Sequence, residues 1–338
     1  MKQANLKNDI DFVITWVDGS DKLWQEQKKQ YSGAVGEDDR EERYRDWGML
    51  KYWFRGIEKY APWVRKIHFV TWGHLPEWLN TDNEKLNIVC HKDYIPKEYL
   101  PTFNSHTIEF NLHRIKGLSD NFVYFNDDVF VVGDITKEMF FRGNLPCDML
   151  AFQPVVANPE NPVMSHLFLN NTLLLSKYFD KRENVKSQPG KYFDLKYPLM
   201  YLGYNLLELA FPKFTGFYTS HGPFPLNKST FDTLWEKEGL ALSETSSHKF
   251  RSSEDVTPYI LREWKKLSGE FVPINVHENF KYFNVDSKNT ELINILNKHK
   301  AKIVCINDSN KKIDFDNAMQ EISQAFNRIL PQKSSFEK

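Results

Sequence analysis

The stretch NFVYFNDDVFVVGDI, residues 121–135, is an apolar run that breaks off at Asn126, Asp127 and Asp128 and then resumes. Two adjacent carboxylates beyond a buried strand are costly unless something uses them. The uses on offer are a hard divalent cation such as Mg²⁺ or Mn²⁺, whose oxygen shell a substrate phosphate completes, a proton, or the loop alone, since Asn-Asp-Asp is also ordinary turn chemistry. A second acidic group stands in WVDGSD, where Asp18 and Asp21 flank Gly19. A glycine there lets backbone approach a ligand, and the carboxylates suit a ribose, a base or a metal; a plain Asp-Gly turn also accounts for them.

Three further groups complete the set. TFNSHTIEFNLHR concentrates Asn104, Ser105, His106, Glu109, His113 and Arg114 on one predicted helix and its lead-in. Glu109 and His113, four apart, share a face and read as a ligand pair, an acid–base pair or an exposed helix pair. His221 lies among Gly and Pro in TSHGPFPLN, where a loop histidine can assist proton transfer. Arg251 precedes Ser253, Glu254 and Asp255 in KFRSSEDV. At a helix start its guanidinium, beside free amides, would clamp a phosphate; otherwise it is a surface ion pair. Together the clusters predict one site for a phosphorylated ligand with a metal. Metal and Arg neutralise charge there, and a base takes the proton of an attacking hydroxyl.

The elements that must position these residues follow from periodicity. IDFVITWV at 10–17 reads as a buried strand stopped by Asp18-Gly19. Residues 28–46, KKQYSGAVGEDDREERYRD, read as a surface loop. Met49, Leu50, Trp53, Phe54, Ile57 and Tyr60 recur at helical spacing before Pro62. KIHFVTWG and KLNIVCH follow as strands. A helix then runs to Gly117, with Asn104 or Ser105 as its cap, and NFVYFNDD is the fourth strand. Strand alternating with helix predicts an α/β layer with a largely parallel sheet, whose ligands gather beyond the carboxyl ends of the strands. Asp18 and the Asn126–Asp128 cluster would then share one rim. Residues 151–215 show helical pieces and no clear sheet, as an insertion or lid. A segment from Lys249 is expected to open polar and continue as a helix with Pro258 near its first turn. The end predicts a strand, a turn and a helix with a stripe of Phe315, Ala318, Met319, Ile322, Phe326 and Ile329.

Composition narrows the classes. The chain has 338 residues, 41% hydrophobic and 26% charged, enough for one large or two medium globular domains. A net charge of −1 gives no bulk attraction to nucleic acid. Aromatics at 15% suit a core and, in part, stacking walls for sugars or bases. Cys90, Cys147 and Cys305 are scattered without CxxC pairing, which predicts buried free thiols and a reducing compartment. The start MKQANLKNDI has no apolar signal core, and no run reaches the ~18 apolar residues of a spanning helix. The expected location is cytoplasmic, with peripheral contact at the inner face of a membrane left open.

Four blocks in order resemble the Stealth family, the hexose-1-phosphate transferases of bacterial capsule synthesis, similar in turn to the catalytic subunit of lysosomal-enzyme GlcNAc-1-phosphotransferase. They are IDFVITWVDGSD; RDWGMLKYWFRGIEKYAPWVRKIHFVTWGHLPEWL through LPTFNSHTIEFNLHRIKGLSDNFVYFNDDVF; SHGPFPLNKSTFDTLW with FRSSEDV; and CINDSNKKIDF through LPQKSSFE. Within the second, Tyr60 stands before the Ala of KYAPWVR. The resemblance implies a Rossmann-like nucleotide-sugar transferase core with a helical or loop insertion, divided as 1–150, 151–215 and 216–338, the middle part a candidate acceptor region. It implies a UDP-sugar donor, Mg²⁺ or Mn²⁺, and attack of a glycan hydroxyl on the β-phosphorus, so that UMP leaves and a hexose phosphate, GlcNAc-1-phosphate by first expectation, is transferred. The acceptor would be a lipid-linked or growing polysaccharide. Asp127 and Asp128 would hold the metal, Arg251 would stabilise the phosphoryl group, and His221 would be the base with His113 its rival. Asp18, Gly19, Asp21, Asn104, Ser105, Glu109, Arg114 and Glu254 would bind substrate. A metal-dependent glycosyltransferase releasing UDP, and a non-catalytic glycan- or nucleotide-binding module, are the competing readings.

Overall fold

The computed structural model describes residues 9–33, 37–38, 44–159, 161–308 and 313–338. Strand β1 (Ile10–Trp16) is buried along its length and sits inside a sheet. Helix α1 (Lys22–Tyr31) follows, so the expected loop at 28–46 begins inside a helix, and its positions 34–36 and 39–43 fall outside the described residues. The short β2 (Glu37–Asp38) precedes α2 (Leu50–Tyr60), β3 (Ile67–Thr71), β4 (Leu86–Cys90), α3 (Ser105–Phe110), β5 (Asn121–Phe125), β6 (Val129–Val131), β7 (Phe141–Arg142) and β8 (Leu145–Asp148). Residues 151–215 are helical, as expected: α4 (Pro162–Leu175), α5 (Lys181–Ser187), α6 (Pro189–Tyr192) and α7 (Leu199–Glu208). The chain continues through β9 (Phe224–Asn227), α8 (Lys228–Ser247), β10 (Arg251–Ser252), α9 (Tyr259–Leu267), β11 (Val272–Pro273), β12 (Phe280–Asn284), α10 (Thr290–Asn297), β13 (Ile303–Asn307) and α11 (Phe315–Ile329).

The central sheet has the order β4-β3-β1-β5-β9. Its first four strands are parallel, as the alternating pattern predicts, and β9 runs antiparallel to β5. From β1 the chain proceeds to β3 and β4 on one side and returns to β5 on the other. That reversal opens a crevice beyond the carboxyl ends of β1 and β5, where open α/β sheets take their ligands. The sequence reading misses β9 because Pro225 interrupts its four residues; an edge strand tolerates a proline that a central one does not. A second sheet, β12-β13-β6, meets the first just after β5.

Side chains alternate along β1. Ile10, Phe12 and Ile14 enter a core shared with α2, α11 and the small sheet, while Val13 enters a second core with α8 and α9. The expected stripe of α2 is buried throughout, and four of the six expected positions of α11 lie in the same core. A Cβ on Gly56 would stand 2.2 Å from the carbonyl oxygen of Val131, so only glycine lets α2 lie this close to β6. The predicted helix over 104–117 is shorter than expected. Asn104 caps it by accepting from the His106 amide, α3 ends at Phe110, and one 3₁₀ turn, Leu112–Arg114, follows. All three cysteines are free, Cys147 and Cys305 buried and Cys90 partly so. Among the described residues, no helix is long and apolar enough to cross a membrane.

Three of the parallel strands are tied by one buried carboxylate. Asp11 in β1 accepts from Arg65 Nε (2.8 Å), from the Ser119 amide (2.8 Å), and pairs with His68 Nε2 (3.0 Å). Burial alone would raise this carboxyl, but His68 and Arg65 outweigh it and hold the group below its ordinary 3.8. The stabilisation is therefore complete above that value and fades as pH falls further. Removing a buried partner strands the others, so Asp11→Ala should cost about 3–5 kcal/mol at neutral pH. Urea unfolding at pH 7 and at pH 3 checks both size and sign: the gap between variant and wild type narrows in acid.

Candidate active site

A cavity of about 1190 Å³ opens over the crevice between β1 and β5. The two acidic segments do share a rim, because β1 and β5 are parallel neighbours with Ile14 opposite Phe125. Asn126, Asp127 and Asp128 line the cavity, as do Ser105, Glu109, His221 and Arg251. Residues separated by more than a hundred positions in sequence thus face one space.

The acidic loop is held at both ends. Tyr124 Oη donates to Asn126 Oδ1 (2.8 Å), and the Ile306 amide donates to the Asp128 carbonyl (2.8 Å). Asp128 Oδ2 lies 3.2 Å from His221 Nε2 and accepts from the Cys305 thiol, also at 3.2 Å. Asp128 Oδ1 is buried and has no hydrogen-bond partner. His221 Nδ1 meets Tyr259 Oη at 2.8 Å. Burial works to lower the His221 pKa, but Tyr259 and the Asp128 carboxylate together hold it well above its ordinary value. The Cys305 thiol is pushed well up by burial and by Asp128, so it stays a neutral thiol. Asp127 is exposed on the cavity lining yet has many protein atoms around it. Burial, then Asp128, then Asp46 push its carboxyl up to about 7.

The opposite wall hangs on Asp255, which is fully buried. It accepts from Asn104 Nδ2 (3.0 Å) and the Ser252 amide (3.1 Å), and pairs with His106 Nδ1 (3.3 Å) and His248 Nδ1 (2.5 Å). The start of α3 is thereby fastened to the segment that carries Arg251, and Arg251 Nη2 donates to Ser105 Oγ (2.6 Å). Arg251, expected at a helix start, lies instead in β10 against β2, while α9 begins only at Tyr259. Its guanidinium lines the cavity next to Ser105, the first residue of α3. Burial pushes Glu109 up to about 7, against the pull of Arg251 and of Ser105.

Several expected site residues do not line the cavity. His113 stacks on Phe231 (5.0 Å), and burial with the Arg114 charge drives it down to about 4, so it is a neutral packed ring. Because α3 stops at Phe110, Glu109 and His113 do not form the expected helix pair. Arg114 lies over the Trp235 ring at 5.0 Å. Asp18 closes its own turn, accepting from the Ser20 amide (2.8 Å) and hydroxyl (2.6 Å). Asp21 caps α1 by accepting from the Trp24 amide (2.8 Å). Gly19 is needed for packing: a Cβ there would stand 2.1 Å from the Tyr44 carbonyl oxygen. Glu254 is exposed beside the buried Asp255. Sequence reasoning missed Asp46, Tyr259 and Cys305. Cys305 carries no local signal at all, since an apolar strand with one thiol reads as core.

The donor atoms of Asp128, His221 and Cys305 lie within 4.8 Å of one another, the one such group of three among the described residues. The orphaned Asp128 Oδ1 suits a hard divalent cation. The neutral Cys305 is better read as a donor to Asp128 than as a ligand.

Three family models match in order: Stealth protein CR1, conserved region 1, at residues 8–36, Stealth protein CR2, conserved region 2, at 43–147, and Stealth protein CR3, conserved region 3, at 220–261. Asp127 and Asp128 fall in the second, His221 and Arg251 in the third. A capsular polysaccharide phosphotransferase WcwK of Streptococcus pneumoniae is 40% identical over 98% of this chain and 99% of its own. The receptor polysaccharide phosphotransferase WefC of Streptococcus oralis is 39% identical over 98% and 99%. The exopolysaccharide phosphotransferase cps2G of Lactiplantibacillus plantarum is 37% identical over 98% and 96%. Among solved structures, the galactosyltransferase LgtC aligns over 96% of this chain and 98% of its own, at 11% identity and a TM-score of 0.38, too low to carry over any chemistry. With identity of this size along almost the full length of both chains, and three family regions meeting around one cavity, the chain belongs to the Stealth family.

Proposed function

We propose that this transferase moves a hexose-1-phosphate, GlcNAc-1-phosphate by first expectation, from a UDP-sugar to a hydroxyl of a growing or lipid-linked capsule or surface polysaccharide, with release of UMP. The observation that supports it best is the convergence of Asp127, Asp128, His221 and Arg251 on one large cavity. The names of the full-length relatives agree with it. Phosphoryl transfer asks for charge neutralisation and positioning more than for covalent chemistry, and this wall supplies both.

Asp128, with Asp127 beside it, would hold Mg²⁺ or Mn²⁺. The ion would supply charge neutralisation on the diphosphate. Arg251, steadied by Ser105, presents a fork that grips two phosphoryl oxygens at once. For the acceptor proton, two groups face the cavity. His221 has its Nε2 turned to Asp128, and Glu109 titrates near neutrality, where a general base works best. His113, packed on Phe231 outside the cavity lining, takes no part in this reading. Neutral Asn104 serves from behind, as the cap of α3 and a partner of Asp255.

Incubation with UDP-sugars, Mn²⁺ and a polysaccharide acceptor, read by mass spectrometry, should yield UMP and a product heavier by one hexose phosphate. UDP with a gain of hexose alone would mean a glycosyltransferase. Arg251→Lys keeps the charge and loses the fork, so turnover should drop on the order of tenfold or more with the fold intact by circular dichroism. A general base is worth about 10²–10⁴-fold, with donor binding nearly unchanged by calorimetry. His221→Ala and Glu109→Gln tested side by side assign it to whichever variant shows that loss.

Asp127 also has a stability signature. Its carboxyl is raised from 3.8 to about 7, so the folded chain holds a proton that the unfolded chain has lost across that window. Stability therefore falls as pH rises through it. In EDTA, Asp127→Asn should melt above wild type at pH 8 and near it at pH 4. Mn²⁺ should raise the wild-type melting temperature and leave an Asp127→Asn/Asp128→Asn double variant unmoved. An equal shift in both proteins would place the ion elsewhere.

A further inference from the structure

Helix α7, LMYLGYNLLE, is built inside out. Its buried positions are Tyr201, Asn205 and Glu208. Asn205 donates to the carbonyls of Leu150 (3.0 Å) and Tyr192 (2.6 Å) and accepts from the Phe152 amide (2.7 Å). Glu208 pairs with the buried Lys181 (3.0 Å) and accepts from Thr215 (2.7 Å). With its polar residues turned inward and satisfied, the helix turns its leucines outward. Leu199 is 85% exposed, Leu206 64% and Leu207 68%, and Leu195, just ahead of the helix, is 92% exposed. Met200, 54% exposed, lies on the same side of the helix. At 100° per residue, positions 199, 200, 203, 206 and 207 share one side of the helix, and none of them carries a charge. A contiguous apolar face of this kind marks an interaction surface.

The segment that carries this face is cationic in its sequence. Residues 177–213 hold seven Lys and Arg against four Asp and Glu in a chain whose overall charge is −1. Arg182, Lys186, Lys196 and Lys213 are exposed. Lys196 meets Asp194 (3.2 Å), Lys213 meets Asp180 (3.7 Å) and Lys177 meets Glu238 (3.0 Å), which still leaves Arg182, Lys186 and Lys191 against Glu183. A second copy docked on the same face would set this basic rim against itself, since a two-fold interface is self-facing. An anionic lipid surface answers both features, taking leucines into the acyl boundary and lysines among the headgroups. The helix, ten residues long, is far too short to span a bilayer.

We infer that the outward face of α7, with Leu195, Leu199, Leu206 and Leu207 at its centre and the surrounding basic side chains, docks this protein on an anionic membrane surface. The docking is independent of the transfer reaction proposed above. Co-sedimentation of the full chain with vesicles reads it without any turnover. The protein should pellet with phosphatidylcholine vesicles containing phosphatidylglycerol and much less with phosphatidylcholine alone. Leu206→Glu/Leu207→Glu should weaken binding on the order of tenfold or more. Lys196→Glu/Lys213→Glu should weaken it and flatten its salt dependence. Both changes are at exposed sites, so melting temperature should match wild type. Failure to pellet with anionic vesicles overturns the inference, as does binding that ignores the leucine substitutions. So does a dimer, seen by light scattering, that those substitutions convert to monomer.

Discussion

The candidate site depends on a loop that belongs to two sheets at once. β5 ends at Phe125 in a parallel ladder, and Val129, four residues later, already pairs with Cys305 in an antiparallel one. The Asp128 carbonyl is taken by the Ile306 amide, so backbone at both ends of Asn126–Asp128 is committed to sheet bonds. A loop this short fixes where its two carboxylates leave the backbone. That constraint explains why Asp127 is pushed up to about 7 and why Asp128 leans on His221 and Cys305. It also explains why α2 must come close over β6 at Gly56: the strand that fixes the loop needs a lid of its own.

The opposite wall follows another logic. Asp255 is buried and bonded from four directions, so the structure spends a charge to fix a distance. What it fixes is α3 against the strand that carries Arg251. Ser105 and Arg251 reach the cavity, while their neighbours Asn104, His106 and Asp255 hold them from behind. A preorganised cation opposite a preorganised pair of carboxylates is the arrangement that electrostatic catalysis favours. Stability is the cost, since raised carboxyls at Asp127 and Glu109 destabilise the folded chain once they ionise.

Much of the scaffold was legible without coordinates. Short apolar runs rich in β-branched and aromatic residues, and the helical stripe at Met49–Tyr60, identify β1, β3, β4, β5 and α2, because local burial is written locally. Asp127, Asp128, His221 and Arg251 stood out as polar groups in places where packing does not ask for them. Where pattern reading failed, a neighbour had overruled it. Pro225 hides an edge strand, and the expected Glu109–His113 pair dissolves because α3 ends one turn too early. In α7 the polar residues face inward, so which side of the helix is buried follows from partners such as Lys181 and Phe152 and not from the helix's own apolar positions.

By itself, then, the sequence determined the order of β1, α2, β3, β4 and β5, the shared rim of the parallel strands and the kinds of side chain available for chemistry. The tertiary structure alone decided which of those side chains meet. Asp128 and His221 are 93 positions apart, Asp128 and Cys305 177, and Arg251 and Ser105 146. The same packing turned Asp18, Asp21 and His113 to caps, turns and stacking, although their local sequence looks as chemical as that of Asp127. The physical reason is that hydrogen-bond and apolar periodicity act over a few residues, whereas juxtaposition across a cavity is set by loop closure and by packing of both faces of the sheet. No local pattern encodes that distance.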